Sequence, residues 1–320
     1  MRAGETAAFR SFMGGLVDYA GLFPPAALDM LAAVAEYAAH RREPEAWMLG
    51  RFIVPAGRLT ELADARRAAK ADQNPWALSL LVGARAGADA ALAAAWAQGT
   101  ATTAFLAEAG GRTTVEVLEA PIPGDVSGLE VPAFLGSYVE TLAAGGLGGR
   151  ELYLEVLPGA DDVKVLEAIN TLAAFERRFS RIGATLRCGG VTAEAVPGPE
   201  RVAGFIATCR QLGLPLKCTA GLHHPVRHQA ADPPVMMHGF LNVFGAGMLA
   251  HARGADLAVL TDCVRETDPA AFRFSADGFA WRDHEVPAAD LARARDGFLA
   301  GFGSCSFAEP RDDLRSLGLM

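Results

Sequence analysis

The stretch LYLEVLPGADDVKVLEAINTLAAFERRFSRIGATLRC, residues 152–188, contains one complete unit of the predicted fold. It begins with an apolar run, LYLEVL, continues with a segment rich in good helix formers, and ends with a second apolar run, ATLRC. Short continuous apolar runs are typical of strands that are buried on both faces, as in parallel sheets. The stretch therefore predicts a strand, a crossover helix and a second, parallel strand.

The same unit repeats along the chain. The apolar runs are 16–21, 51–55, 77–82, 114–118, 152–157, 184–188, 215–219 and 302–307. The first seven start 26 to 38 residues apart (at 16, 51, 77, 114, 152, 184 and 215), which is the length of a strand, a helix and two short loops. We therefore predict an α/β fold, a (β/α)8 TIM-type barrel in a single domain over residues 1–320. A doubly wound open sheet is the alternative, although no GxGxxG follows the first strand.

The connection between strands seven and eight is too long for a single helix. Residues 220–301 contain two predicted helices, at 238–251 and 256–264. They also contain FRFSADGFAWRDHEV, whose alternation around Asp277-Gly278 predicts a β-hairpin. Such an insertion is typical of a lid or an oligomer contact, so a homo-oligomer is one expectation.

Composition excludes several classes of partner. The formal net charge of −8 disfavours nucleic acid and anionic membranes, because both repel an acidic surface. The alanine-rich runs are broken by charges, and the N-terminal segment lacks the continuous apolar stretch of a signal peptide. The five cysteines show no CxxC spacing. A cytoplasmic protein that acts on a small anionic metabolite is the expectation.

Charged residues inside the predicted strands point to a site. Asp18, Glu155, Arg187 and Lys217 lie on strands one, five, six and seven. An ionised group inside a barrel strand costs several kcal/mol unless it is paired or faces the mouth, where barrel enzymes carry their chemistry. Glu155, Arg187 and Lys217 would form a row of acid, guanidinium and amine. A structural ion pair is the alternative interpretation.

This row suggests specific roles. Arg187 is followed by a turn of two glycines, Gly189 and Gly190, whose backbone can approach an anion closely. Together they are suited to bind a carboxylate or a phosphate. Lys217 has three candidate roles: general base, Schiff-base nucleophile, or, if Glu155 keeps it charged, an electrostatic clamp. Thr219 shares the face of Lys217 and could donate a hydrogen bond to the same ligand.

Histidines cluster after the seventh strand. Four of the seven, His223, His224, His228 and His238, lie between residues 223 and 238. Imidazole is a common ligand of zinc, but no HxH or HExxH pattern is present, so acid/base chemistry is favoured over a divalent metal. Because adjacent side chains normally point to different places, His223 and His224 are expected to have different roles.

The two ends of the chain should meet this region. Asp18 and Tyr19 end the first strand, and Ser304 and Ser306 lie on the predicted eighth strand, which adjoins strands one and seven in a closed barrel. These residues are expected near Lys217. Cys305 is predicted to be a buried, inert thiol, because a nucleophile needs an adjacent base and partial exposure.

Taken together, RxGG (187–190) and KxTxG (217–221) resemble barrel enzymes that hold phosphorylated or carboxylated substrates. Enolase-type barrels need metal-binding carboxylates on successive strands, where this chain has Arg187. Amidohydrolases need an HxH on the first strand, which is absent. These departures argue against both mechanisms.

The leading prediction is a lyase or isomerase that acts on a small anionic carbonyl or hydroxy-acid substrate. Arg187 would bind the anion, Lys217 would be the base or amine, and His223 or His224 would transfer the proton. No cofactor is firmly predicted. The alternatives are a metal-dependent hydrolase or lyase built on the histidines, and a non-catalytic barrel that binds a small molecule.

Overall fold

The computed structural model describes residues 6–69, 74–158 and 161–320. The strands are β1 (Val17–Tyr19), β2 (Leu49–Pro55), β3 (Trp76–Leu81), β4 (Thr113–Pro121), β5 (Glu151–Val156), β6 (Arg181–Arg187), β7 (Leu216–Thr219), β8 (His228–Gln229), β9 (Met236–Met237), β10 (Phe272–Phe274), β11 (Gly278–Trp281), β12 (His284–Pro287) and β13 (Leu299–Ser304). The helices are α1 (Ala7–Met13), α2 (Met30–His40), α3 (Leu59–Ala68), α4 (Ala88–Ala109), α5 (Val131–Leu142), α6 (Asp162–Phe175), α7 (Pro199–Leu212), α8 (Phe240–Arg253), α9 (Leu257–Arg265), α10 (Ala288–Gly297) and α11 (Ala308–Ser316).

Eight parallel strands close into a barrel. Their order is β1, β13, β7, β6, β5, β4, β3 and β2, and helices alternate with the strands along the chain. The predicted (β/α)8 TIM-type fold is confirmed, and the open sheet is wrong. The apolar runs arise because barrel strands are buried on both faces. Strand β13 lies between β1 and β7, as predicted for the eighth strand.

Several helices begin at a side chain that caps them. The capping residue accepts a hydrogen bond from a backbone N–H three residues later, which satisfies a donor that the first turn leaves unpaired. The caps of this kind are Thr6, Asp29, Asp161 and Asp256. Helices α7 and α8 end at Gly213 and Gly254, both in the left-handed conformation that glycine adopts without strain.

The eighth strand differs from its prediction. It was expected at 302–307 and lies at Leu299–Ser304, so Ser306 is outside it. The reason is a turn made by serine side chains: the Ser304 hydroxyl donates to the Ser306 carbonyl at 2.6 Å. The Ser306 hydroxyl then accepts from the backbone N–H of Glu309 at 3.1 Å. Glu309 lies in the first turn of α11.

The 220–301 insertion contains the predicted elements and more. Helices α8 and α9 are present, and β10 pairs with β11 in the predicted hairpin, which β12 extends to three strands. Helix α10 follows and was not predicted. Every residue from 240 to 250 on α8 is buried, which is typical of a helix that is enclosed on all sides. A lid or oligomer role for the insertion stays a prediction.

The chain divides into two compact units. The first contains residues 1–18, 44–50 and 186–320, and the second contains residues 19–43 and 51–185. The single domain predicted for residues 1–320 stays a prediction. Among the described residues, no helix combines the length and the apolar character needed to cross a membrane.

Candidate active site

A buried ion pair lies in the first unit. The ammonium of Lys217 on β7 donates to Asp18 Oδ2 on β1 at 2.6 Å, and each side chain is only 1% exposed. Strand β13 runs between them, with Gly301 opposite Lys217. A Cβ at Gly301, whose φ is +153°, would lie 2.8 Å from the Leu16 carbonyl. Glycine therefore allows the close approach of β13 to β1 that accompanies this pair.

Thr219, which follows Lys217 on the same strand, has a hydroxyl that can hydrogen-bond to a ligand. Thr219 is two residues after Lys217 on β7, so both side chains project from the same face. Within the described part of the chain, the buried Thr219 Oγ1 has no hydrogen-bond partner. A buried polar atom without a partner costs about 1–3 kcal/mol, so this hydroxyl is available to a ligand.

Two residues predicted at the site make contacts within the second unit. Glu155 on β5 accepts from Arg85 at 2.5 Å. The Tyr19 hydroxyl donates to Glu36 on α2 at 2.6 Å. The sequence analysis considered Glu155 as an acid that could keep Lys217 charged, and the structure places Asp18 on the ammonium. The catalytic role of Glu155 and the substrate-binding role of Tyr19 stay predictions.

The two glycines after β6 are explained by packing. A Cβ at Gly189 would lie 2.8 Å from the Gly221 backbone, and a Cβ at Gly190 would lie 2.6 Å from Ala195. Close contact between neighbouring loops therefore requires small residues here, whether or not an anion binds. The same Cβ of Gly190 would lie 3.6 Å from an Arg187 guanidinium nitrogen, so the guanidinium does lie over this turn. Anion binding at the turn stays a prediction.

We expect Gly189→Ala to destabilise the first unit by about 1–3 kcal/mol, since the new methyl would overlap backbone that cannot move aside. Gly204→Ala is the matched control. It lies within α7, where a Cβ would meet nothing within 4 Å, and alanine has the higher helix propensity. Urea unfolding measures both variants, and a Gly189→Ala variant as stable as the control would contradict the packing account.

Both adjacent histidines contact helix α11. His223 Nδ1 lies 3.0 Å from Glu309 Oε2, and His224 Nδ1 lies 2.5 Å from Asp313 Oδ2. The two carboxylates are four residues apart, so they lie on one face of the helix. The two rings thus contact different carboxylates of the same helix, and that His223 and His224 have different roles stays a prediction.

The other two histidines have separate surroundings. His228 packs edge-on against His224, with ring centroids 4.3 Å apart, and burial next to His224 lowers the pKa of His228. The His238 Nε2 atom lies 2.7 Å from the Pro197 carbonyl oxygen. Burial lowers the pKa of His238 to about 4, so this ring is neutral at pH 7.

His223 is held in its charged form. Burial lowers the pKa of His223, but contacts with Cys305 and Glu309 outweigh that effect and raise it to about 9. The hydrogen bond from His223 in turn lowers the pKa of Glu309. At pH 7 the pair is therefore an imidazolium and a carboxylate.

The His223 pair makes stability depend on pH. Its pKa is about 9 in the folded chain against 6.5 for an unperturbed histidine. The stabilisation is therefore complete below pH 6.5 and is lost as the pH rises to 9. We expect the free energy of unfolding of the native protein to fall by on the order of 2 kcal/mol over this interval. The His223→Gln variant should not show this fall. Urea unfolding at both ends of the interval measures this, and equal losses in the two proteins would refute it.

The metal alternative gains no geometric support. Across residues 6–69, 74–158 and 161–320, no three His, Cys, Asp or Glu side chains are arranged to hold a metal ion. Two of the four candidate ligands, His223 and His224, are instead paired with carboxylates of α11. A divalent metal stays a prediction.

Comparisons with known proteins add no assignment. No protein-family model matches the chain, and no curated protein matches its sequence. The function therefore has to be argued from the site.

Proposed function

We propose that the first unit carries the active site of a lyase or isomerase that acts on a small anionic carbonyl or hydroxy-acid substrate. The observation that carries this proposal is the Lys217–Asp18 pair, 2.6 Å apart and 1% exposed at both side chains. A buried ion pair is often no more stabilising than well-packed apolar residues of the same volume. Stability is therefore a weak reason for a lysine at this position, which favours a chemical role for it. Barrels of this type are commonly enzymes.

The pair can supply a neutral amine. In a site of low dielectric, transfer of the ammonium proton from Lys217 to Asp18 replaces two buried charges with two neutral groups. The amine can then add to a substrate carbonyl and form an iminium with loss of water, or can remove a proton as a general base. An iminium withdraws electrons from adjacent C–C and C–H bonds, which is the basis of lyase and isomerase reactions.

The surrounding groups fit an anionic carbonyl compound. The Thr219 hydroxyl lacks a partner among the described residues and lies on the face of Lys217, where it can donate to a substrate oxygen. The Arg187 guanidinium, over the Gly190 turn, would bind the carboxylate or phosphate. His223 or His224 would return the proton to the product.

Borohydride trapping tests the proposal. We expect the native protein, incubated with a panel of pyruvate, glyoxylate, dihydroxyacetone phosphate and glyceraldehyde 3-phosphate, to gain the mass of one reduced adduct on Lys217. The sequence has only three lysines, at 70, 164 and 217, so peptide mapping identifies the site directly. Lys164, an exposed residue paired with Asp161, is the internal control.

The general-base role has its own measurement. If Lys217 acts as a base, the carbon next to the carbonyl exchanges its proton for deuterium in heavy water, and Lys217→Met abolishes the exchange. The proposal fails if no compound in the panel gives either a Lys217 adduct or exchange that depends on Lys217. An adduct confined to Lys164 would count against it as well.

A further inference from the structure

A thiol, an imidazole and a carboxylate lie in contact at the start of α11. Cys305 Sγ lies 3.7 Å from His223 Nδ1 and 3.8 Å from Nε2. Glu309 Oε2 lies 3.0 Å from Nδ1 of the same ring. Cys305 was predicted to be buried and inert, since a nucleophile would need an adjacent base and partial exposure. The thiol is buried, at 5% exposure, and the structure places an imidazole beside it.

The arrangement gives each group a chemical role. His223 has a pKa raised to about 9, so at pH 7 the ring is an imidazolium that carries a proton on each nitrogen. Glu309 accepts the hydrogen bond from Nδ1, which leaves the Nε2 proton as the one not already donated to the carboxylate. An imidazolium in contact with sulfur stabilises a thiolate, which is the nucleophilic form.

The other cysteines have different surroundings. Contact with Cys218 and burial raise the pKa of the Cys188 thiol, and burial raises that of Cys263. The Cys263 thiol faces the backbone carbonyl of Asn242 at 3.7 Å, which favours the protonated form. Cys305 differs from both of these thiols in its contact with a histidine–carboxylate pair.

We propose that Cys305, His223 and Glu309 form a nucleophilic thiol centre that adds to the carbonyl carbon of a small aldehyde. In the reacting form Cys305 is a thiolate beside the His223 imidazolium: the sulfur forms a bond to the carbonyl carbon, and the π electron pair moves to oxygen. That oxygen takes a proton from the imidazolium, which leaves a neutral hemithioacetal and a neutral imidazole. The step needs no oxidant, leaving group or second base. Cys305 is 5% exposed, so the aldehyde must be small. The centre does not depend on Lys217 chemistry.

Differential alkylation tests the thiol. We expect limiting iodoacetamide at pH 7 to modify Cys305 in the native protein at least tenfold faster than the four other cysteines, as mapped by mass spectrometry. His223→Gln should slow Cys305 at least tenfold, and Glu309→Gln should slow it less. Asp313→Asn is the matched control, since it alters the neighbouring histidine pair on the same helix face, and it should leave the rate unchanged. Melting curves verify that each variant is folded.

Labelled aldehyde tests the adduct. Native protein with [1-13C]glycolaldehyde should show a carbon resonance of a sulfur-bound hemithioacetal that is absent from Cys305→Ser. The nucleophile is refuted if Cys305 reacts no faster than Cys263 or if His223→Gln leaves its rate unchanged. A reactive Cys305 without a Cys305-dependent adduct would refute the aldehyde as substrate. Absence of both borohydride trapping at Lys217 and Lys217-dependent deuterium exchange would overturn the proposed lyase or isomerase and leave this centre standing.

Discussion

Replacement of Lys217 by methionine is expected to abolish the proposed reaction and to lower the free energy of unfolding by about 3–5 kcal/mol. The substitution removes the amine and leaves Asp18, which is 1% exposed, without the ammonium that now lies 2.6 Å from its carboxylate. A buried carboxylate that loses its cationic partner keeps its full desolvation cost. Urea unfolding measures the stability, and deuterium exchange measures the chemistry.

A second variant separates chemistry from stability. Combining Lys217→Met with Asp18→Asn removes both charges, so most of the lost stability should return while activity stays absent. Lys164→Met beside the exposed Asp161 is the matched control, and we expect no measurable change in its free energy of unfolding. If the single Lys217 variant kept both its stability and its turnover, the ion pair would have neither role.

Asn242→Asp is expected to lower the free energy of unfolding by about 3–5 kcal/mol. The Asn242 amide is fully buried on α8 and uses both ends: Nδ2 donates to the carbonyls of Cys263 and Glu266 at 2.8 Å, and Oδ1 accepts from Arg227 N at 2.7 Å. Aspartate has nearly the same shape but turns a carboxylate oxygen toward two carbonyl oxygens. The result is a buried, repelled charge.

Asn170→Asp on α6 provides the comparison for this change. Asn170 is partly exposed, so the same substitution should alter stability by less than about 0.5 kcal/mol. Hydrogen exchange should also show faster opening of residues 220–301 in Asn242→Asp, because this amide joins the loop after β7 to the end of α9. Equal stabilities of the two variants would mean that the Asn242 network contributes little.

The fold could be predicted because each barrel strand has the same pattern in the sequence. A strand buried on both faces is a short apolar run, and the runs recur at the length of a βα unit. The eighth strand was misplaced by three residues because FGSCSF is apolar enough to continue a strand. The bonds between Ser304 and Ser306 that end it are not visible as a pattern.

Lys217 and Asp18 were both identified in the sequence as charges inside strands, and the structure shows that they form an ion pair. Glu155 was considered as the acid that keeps the lysine charged, and that role stays a prediction. Which acid meets a lysine depends on how far each strand is shifted along the barrel, and a single sequence does not contain that shift. The contact of His223 with Glu309 depends on the first turn of α11, a helix that the sequence analysis did not predict.

The first unit joins both ends of the chain, and this affects how the protein is made. Asp18 precedes Lys217 by 199 residues, and β13, the strand between β1 and β7, comes last of all strands described. At about 5–20 residues per second, a ribosome needs roughly 10–40 s to travel from the acid to the lysine. The Asp18 carboxylate is thus synthesised long before Lys217, its partner. Assembly of the site during translation is therefore a late event that a shortened C-terminus would prevent.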